Sequence, residues 1–289
     1  MDGDRVGPEI IDYYTAGFDE ASRLSATAHG ALELIRTREV LRRHLPSPPA
    51  AVLDVGGGPG THARWLAADG YAVHLVDPVR SHLEQAKASG ACTVELGDAR
   101  KLSAPDGSYD AVLLLGPLYH LLERDDRLRA LGEARRAVRP GGLVATAAIS
   151  RYAPLLDLAA TARIGPATEP TLRSVFATGR HDASTLGFTT AYFHTADELR
   201  SEMLDAGFGD VSLVGVEGPA WTVLKGVTRH TGESMVDSAL LDSALALARL
   251  TESDPALLPA SSHFLALAHA PPAAGSRPGA RRGPAGDRR

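Results

Sequence analysis

The sequence predicts an α/β fold: a mostly parallel, doubly wound sheet with an antiparallel edge strand, helices on both faces and an N-terminal helical lid. Three observations predict it. Short apolar runs alternate with helical segments between residues 51 and 150. The first run, "AVLDV" (51–55), meets four glycines within five residues. A later one, "YDAVLLLG" (109–116), is apolar almost throughout, as a strand covered on both faces must be.

Each element has its own signal. Residues 9–45 read as helical, with Leu24, Ala28, Ala31, Leu34, Ile35, Val40, Leu41 and Leu45 at mostly three- and four-residue steps and Gly30 marking a break. "PSPP" (46–49) ends that helix, because proline cannot continue it. After the first strand, "THARWLAADG" (61–70) is a helix closed by glycine, "AVHLVD" (72–77) a strand, "SHLEQAKASG" (81–90) a helix and "CTVELGD" (92–98) a strand. "RDDRLRALGEARRAV" (124–138) is helical and stops at "RPGG" (139–142), before the strand "LVATAAIS" (143–150). Such alternation implies right-handed crossovers and a Rossmann-like core.

Beyond residue 150 the rhythm breaks. Residues 151–192 carry short helical patches, prolines and glycines, as a cap over the ligand edge would. "TADELRSEMLDAGF" (195–208) is an amphipathic helix, "DVSLVGVEG" (210–218) a strand, 235–250 a long helix and "HFLALAHA" (263–270) a last strand. The expected organisation is a lid at 1–48, a domain at 49–270 with the cap inside it, and a disordered Pro/Gly/Arg tail at 271–289.

The formal net charge is −5, which argues against a nucleic-acid binder working through a broad basic face. One cysteine, Cys92, excludes a disulfide framework and a four-thiolate zinc site within one chain. The histidines are scattered, with no metal-binding spacing, so no metal is expected. No apolar run is long enough to span a membrane, and "MDGDRVGPEI" is no signal peptide, so a cytoplasmic protein is expected.

The glycine loop "LDVGGGPGTHA" (53–63) follows a strand and opens a helix, where bare backbone N–H groups can approach a ligand. A phosphate loop needs lysine and then Ser or Thr after its last glycine, but Gly60 is followed by Thr61 and His62. A dinucleotide fingerprint can be fitted as Gly58-x-Gly60-x-x-Ala63 with Asp77 downstream. A tight turn without a ligand is the third reading.

The spacing Asp54-x-Gly56-x-Gly58-x-Gly60 resembles the first motif of the class I S-adenosylmethionine-dependent methyltransferases. The resemblance continues in order through Asp77, Asp98 with Ala99, the loop "GPLYHL" (116–121) and "RPGG", over roughly residues 50–150. It implies S-adenosylmethionine as cofactor, with Asp77 on the ribose hydroxyls and Asp98 on the adenine amino group. Carbonyls near Gly56 and Gly116 would take the ammonium of the methionine end. From the segment before the first strand, Arg23 could pair with the methionine carboxylate and Tyr14 could cover the sulfonium.

The resemblance implies methyl transfer to a small organic acceptor, in the manner of enzymes that decorate secondary metabolites. His120, just past the fourth strand, is the candidate base, with Tyr119 beside it. Arg151, Tyr152, Tyr192, Phe193 and His194 are candidate acceptor contacts, and Trp221 is either pocket wall or core. The loop "GPLY" lacks the Pro-Pro-aromatic pattern of DNA amino-methyltransferases. Two other classes stay open: a nicotinamide-dependent oxidoreductase, and a cofactor-holding protein without catalysis.

Overall fold

The computed structural model describes residues 7–15, 20–182 and 188–272. The predicted tail from residue 273 onward lies outside the described residues. Among the described residues, no helix is long and apolar enough to cross a membrane.

The N-terminal segment is three helices, α1 (Pro8–Thr15), α2 (Glu20–Arg23) and α3 (Ala28–His44), and the break expected at Gly30 falls before Ala28 instead. Thr27 causes the last break. It holds an extended backbone, and its side chain accepts the Gly30 N–H at the head of α3. Glycine is required at 30, because a Cβ there would lie 2.5 Å from the Arg23 carbonyl oxygen.

The core then follows the predicted alternation: β1 (Ala51–Val55), α4 (Thr61–Ala68), β2 (Ala72–Asp77), α5 (Arg80–Ala88), β3 (Thr93–Leu96), β4 (Tyr109–Leu114), α6 (Arg124–Ala137) and β5 (Val138–Ile149). The strand β5 starts earlier than predicted. It runs through "RPGG", because Val138 pairs with Tyr109 before the register shifts and Ala111 meets Leu143.

The segment expected as a cap contains α7 (Ala153–Ala160), α8 (Glu169–Thr178) and a short hairpin of β6 (Arg180–His181) and β7 (Ala191–Tyr192). Next come α9 (Ala196–Asp205), β8 (Ser212–Gly215), α10 (Trp221–Thr231), α11 (Ala239–Thr251) and β9 (His263–His269). A capping box from Thr195 and Glu198 starts α9.

The sheet runs β3-β2-β1-β4-β5-β9-β8, with β1 to β5 parallel. The antiparallel strand is β9, placed between β5 and β8. The antiparallel strand expected at an edge thus lies one place in, with β8 outside it. One apolar layer, around Leu53, Leu114, Leu131 and Phe264, covers one face of the sheet. A second, around Leu41, Leu66, Leu75 and Leu113, covers the other.

The helix α3 is tied to the far end of this sheet. Arg36, only 1% exposed, reaches the Val216 carbonyl and the Glu252 carboxylate. That anchor sets Arg23 and Glu33 above the C-terminal ends of the strands. Trp221 belongs to the core: it is 3% exposed, and its indole N–H donates to the Ala260 carbonyl.

Candidate functional site

A cleft of about 370 Å³ lies over the C-terminal ends of β1 to β5, where open α/β sheets place ligands. Tyr14, Arg23, Asp54, Gly56, Gly58, Asp77, Asp98, Ala99, Gly116, Tyr119 and His120 all line it. Gly60 does not. It heads α4 with a left-handed backbone, φ 81°.

The floor depends on two glycines. Gly56 has φ 69°, and a Cβ there would lie 2.8 Å from Pro117 Cγ. At Gly57 a Cβ would lie 2.6 Å from Asp54 Oδ2. The loop can therefore lie directly on the Asp54 carboxylate. Asp54 is fully buried, and neither oxygen has a hydrogen-bond partner among the described residues. Burial, aided by the charge of Asp77, pushes its carboxyl up to about 7. A buried carboxylate left unpaired costs free energy. Its position in the cleft marks it as awaiting a donor or a cation.

Asp77 closes β2. Its Oδ2 accepts the Gly58 N–H at 2.9 Å, and its Oδ1 accepts the Val79 N–H at 2.9 Å. His82 Nδ1 stands 3.3 Å from the same Oδ1, and its Nε2 is buried with no hydrogen-bond partner among the described residues. Asp98, after β3, is held on both oxygens by Arg100, at 3.0 and 2.6 Å. The expected acceptor for an amino group is thus already shared with a guanidinium, although a carboxylate has lone pairs to spare.

Two groups come from the N-terminal helices. Tyr14 reaches across the cleft, and its hydroxyl lies 2.9 Å from His120 Nε2. Arg23 is bidentate to Glu33 at 2.8 and 3.0 Å and also donates to Glu20. Burial pushes the His120 imidazole down to about 4, so the ring is neutral near pH 7. Burial also raises the Tyr119 phenol, which stays protonated.

The structure does not place Arg151, Tyr152, Tyr192 or His194 in the cleft lining. Arg151, Tyr192 and His194 belong to a polar layer around α9. Arg151 pairs with Glu198 and meets the Tyr192 hydroxyl at 3.2 Å. His194 Nε2 lies 3.2 Å from Glu202, which also holds the buried Arg127. Tyr152 packs its ring against Phe176. Phe193 is core. Arg151, Tyr192 and His194 are held by one another and by Glu198 and Glu202, which residue type alone does not disclose.

Among the lining residues that carried no motif are His82, Glu33, His263 and Thr190. His82 had a local signal, since it sits five residues after Asp77 on the first turn of α5. Glu33 and His263 meet only in three dimensions, with Glu217 completing their cluster. A metal ion there would compete with bonds already made. Glu33 is bound by Arg23, and Glu217 accepts from Ser261 and from His263.

A family profile described as "Methyltransferase domain" matches residues 52–142. The chain is 33% identical over 147 residues to methyltransferase GfsG of Streptomyces halstedii, covering 48% of this chain and 52% of that one. It thus spans about half the length of that relative. It is 28% identical over 219 residues to the ubiquinone/menaquinone biosynthesis C-methyltransferase UbiE of Acidiphilium cryptum, covering 73% and 85%. In fold it is similar to a possible histamine N-methyltransferase from Thermotoga maritima, with TM-score 0.56, 17% identity and coverage of 90% and 98%.

Proposed function

The chain belongs to the class I S-adenosylmethionine-dependent methyltransferases, and from that premise we propose that it methylates a small organic acceptor in the cleft over β1 to β5. The observation that carries the reading is Asp54. A buried, unpaired carboxylate lies under a glycine cradle, with Asp77 and Asp98 at the next two strand ends. That donor set fits S-adenosylmethionine, which carries an ammonium, a ribose diol and an adenine amino group.

Asp77 would hold the ribose, and Asp98 with the Ala99 backbone the adenine. Gly56, Gly58 and Gly116 would let the methionine end approach the backbone, with Arg23 on its carboxylate. Bound there, the cofactor supplies a methyl carbon on a cationic sulfur that leaves readily. The protein's part is to align the acceptor and exclude water. Tyr14 and its bond to His120 close the N-terminal helices over the cleft. With its Nε2 engaged and its imidazolium disfavoured, His120 serves as a latch partner better than as a base.

The net charge of −5 supports a small acceptor over a polymer. The likeness to a quinone-biosynthesis enzyme points the same way. Natural-product chemistry fits the likeness to the Streptomyces relative. The test is transfer of labelled methyl from S-adenosylmethionine to a panel of small hydroxyl, amine and activated-carbon compounds. Labelled product and S-adenosylhomocysteine are expected together. Cofactor binding with no transfer to any acceptor would leave a binding protein instead.

A further inference from the structure

A separate cavity of about 360 Å³ lies where α3, α7 and α10 meet, and among the described residues it shares none of its lining with the cleft. Its lining is His29 from the first turn of α3, Thr161 and Arg163 from the end of α7, and Lys225, Thr228 and Arg229 from α10. The last three recur at three- and four-residue steps, so they share one face of their helix. Among the described residues no acid lines the cavity. Asp157, from α7, pairs with Lys225. Arg163 and Arg229 are exposed, and neither guanidinium has a partner among the described residues. Three cations against one carboxylate leave a surplus of two positive charges, in a chain whose net charge is −5.

The end of α7 presents cations rather than free carbonyls, which would repel an anion. Its last four carbonyls are all taken: Asp157 by the Thr161 N–H and hydroxyl, Leu158 by the Arg163 N–H, Ala159 by the Ala162 N–H and Ala160 by His230 Nε2. Ala162 makes this turn with φ 53°, a left-handed backbone that glycine adopts freely and alanine only under strain. Two polar atoms of the lining residues, His29 Nδ1 and Thr228 Oγ1, are buried with no hydrogen-bond partner among the described residues. Thr222 and Thr231, on the same helix as Thr228, both place their hydroxyls on backbone carbonyls. A buried polar group left unmet costs free energy, so Thr228 and His29 add unmet polar atoms to the charge of the cavity. Burial and the charge of Lys225 push the His29 imidazole down to about 4, so the ring is neutral near pH 7 and keeps one N–H to donate.

We propose that this cavity binds a phosphate group, held by Arg163, Arg229 and Lys225 with Thr228 and His29 as neutral donors. A guanidinium fork matches phosphate oxygens, and an ammonium has three donors, so Lys225 keeps two beyond the one on Asp157. A phosphate monoester carries about −1.5 to −2 at neutral pH, which matches the surplus, whereas a carboxylate would leave one cation unmatched. The volume lies in the range of small-molecule sites. A ligand here ties the start of α3 to α7 and α10, and α3 also carries Glu33 of the cleft. The site does not depend on the methyl-transfer reading.

The test is calorimetry of the full chain with inorganic phosphate and with phenyl phosphate, at an ionic strength fixed by sodium chloride. Saturable one-to-one binding is expected. Arg163→Ala combined with Arg229→Ala, both at exposed positions, should weaken it at least about tenfold, the scale of a lost hydrogen bond to a charged group. Tighter binding of phenyl phosphate supports a phosphorylated small molecule as the source, and equal binding supports free phosphate. The titration is repeated with S-adenosylhomocysteine in excess, and the same affinity is expected. In histidine-selective NMR, phosphate should move the His29 signal, assigned by its loss in His29→Gln. The calorimetry stands even if His29→Gln does not fold. No saturation by either anion, unchanged binding in the double variant, displacement by S-adenosylhomocysteine or an unmoved His29 signal would overturn the proposal. Failure of S-adenosylhomocysteine itself to bind would count against the methyl-transfer reading and leave the phosphate site to the double variant.

Discussion

The Tyr14 hydroxyl and His120 Nε2 lie 2.9 Å apart, joining α1 to the loop after β4 across 106 residues of chain. This bond spans the cleft and ties the N-terminal helices to the loop at the C-terminal end of β4. Tyr14→Phe removes the hydroxyl and keeps the ring. A neutral hydrogen bond contributes about 0.5–1.5 kcal/mol. Affinity for S-adenosylhomocysteine should therefore fall roughly 2- to 12-fold by calorimetry. Unchanged affinity would show that the latch does not govern cofactor binding.

Asp77 is expected to contribute more. Hydrogen bonds to a charged group are worth about 1.5–3 kcal/mol. Asp77→Ala should weaken S-adenosylhomocysteine binding by about that amount. Asp77 also anchors the Gly58 and Val79 N–H groups, so Asp77→Asn separates the two roles. A 2′,3′-dideoxy analogue that loses no affinity on wild-type protein would remove the ribose assignment.

The raised Asp54 carboxyl makes stability depend on pH. Its folded value, about 7, lies above the ordinary 3.8. Its stabilising contribution is therefore present below pH about 4 and lost as pH rises through about 7. Relative to Asp54→Asn, the ligand-free wild type should lose a few kcal/mol between those limits. Urea midpoints of both proteins at pH 5 and pH 8 measure it. Parallel shifts in the two proteins would mean that Asp54 is ionised in the folded state at both values.

The Arg127–Glu202 pair is buried on both sides, each side chain 3% exposed. Arg127 also donates to the Leu121 and Leu122 carbonyls, at 2.8 Å each, and so fixes the loop that carries His120. Glu202→Gln leaves a buried guanidinium without its counter-charge. Removing one partner of such a pair costs about 3–5 kcal/mol. Chemical denaturation should show a loss of that size, and a loss under about 1 kcal/mol would mean that water enters to solvate Arg127.

Much of this site could be read from the sequence because glycine and acid positions at strand ends have few alternatives. Gly56 is dictated by Pro117, and Gly57 by the Asp54 carboxylate beneath it. Local patterns also placed β1 to β5 in order. What they missed depends on distance along the chain. Glu33, Glu217 and His263 come from α3, the segment after β8 and β9, and no spacing links them. Arg151 and His194 have the chemistry of ligand contacts, yet Glu198 and Glu202 claim them first. The helix α10 was missed because "WTVLKGVTRHT" is rich in β-branched residues, while burial falls on Trp221 and Leu224, three apart. The break expected at Gly30 lies instead at Thr27, whose capping bond competes with helix continuation.

The most direct measurement is calorimetry of the purified chain with S-adenosylhomocysteine and, separately, with NADH. The expected result is saturable one-to-one binding of S-adenosylhomocysteine, weakened in Asp77→Ala, and no heat with NADH. Binding of NADH with none of S-adenosylhomocysteine would contradict the assignment of the cleft.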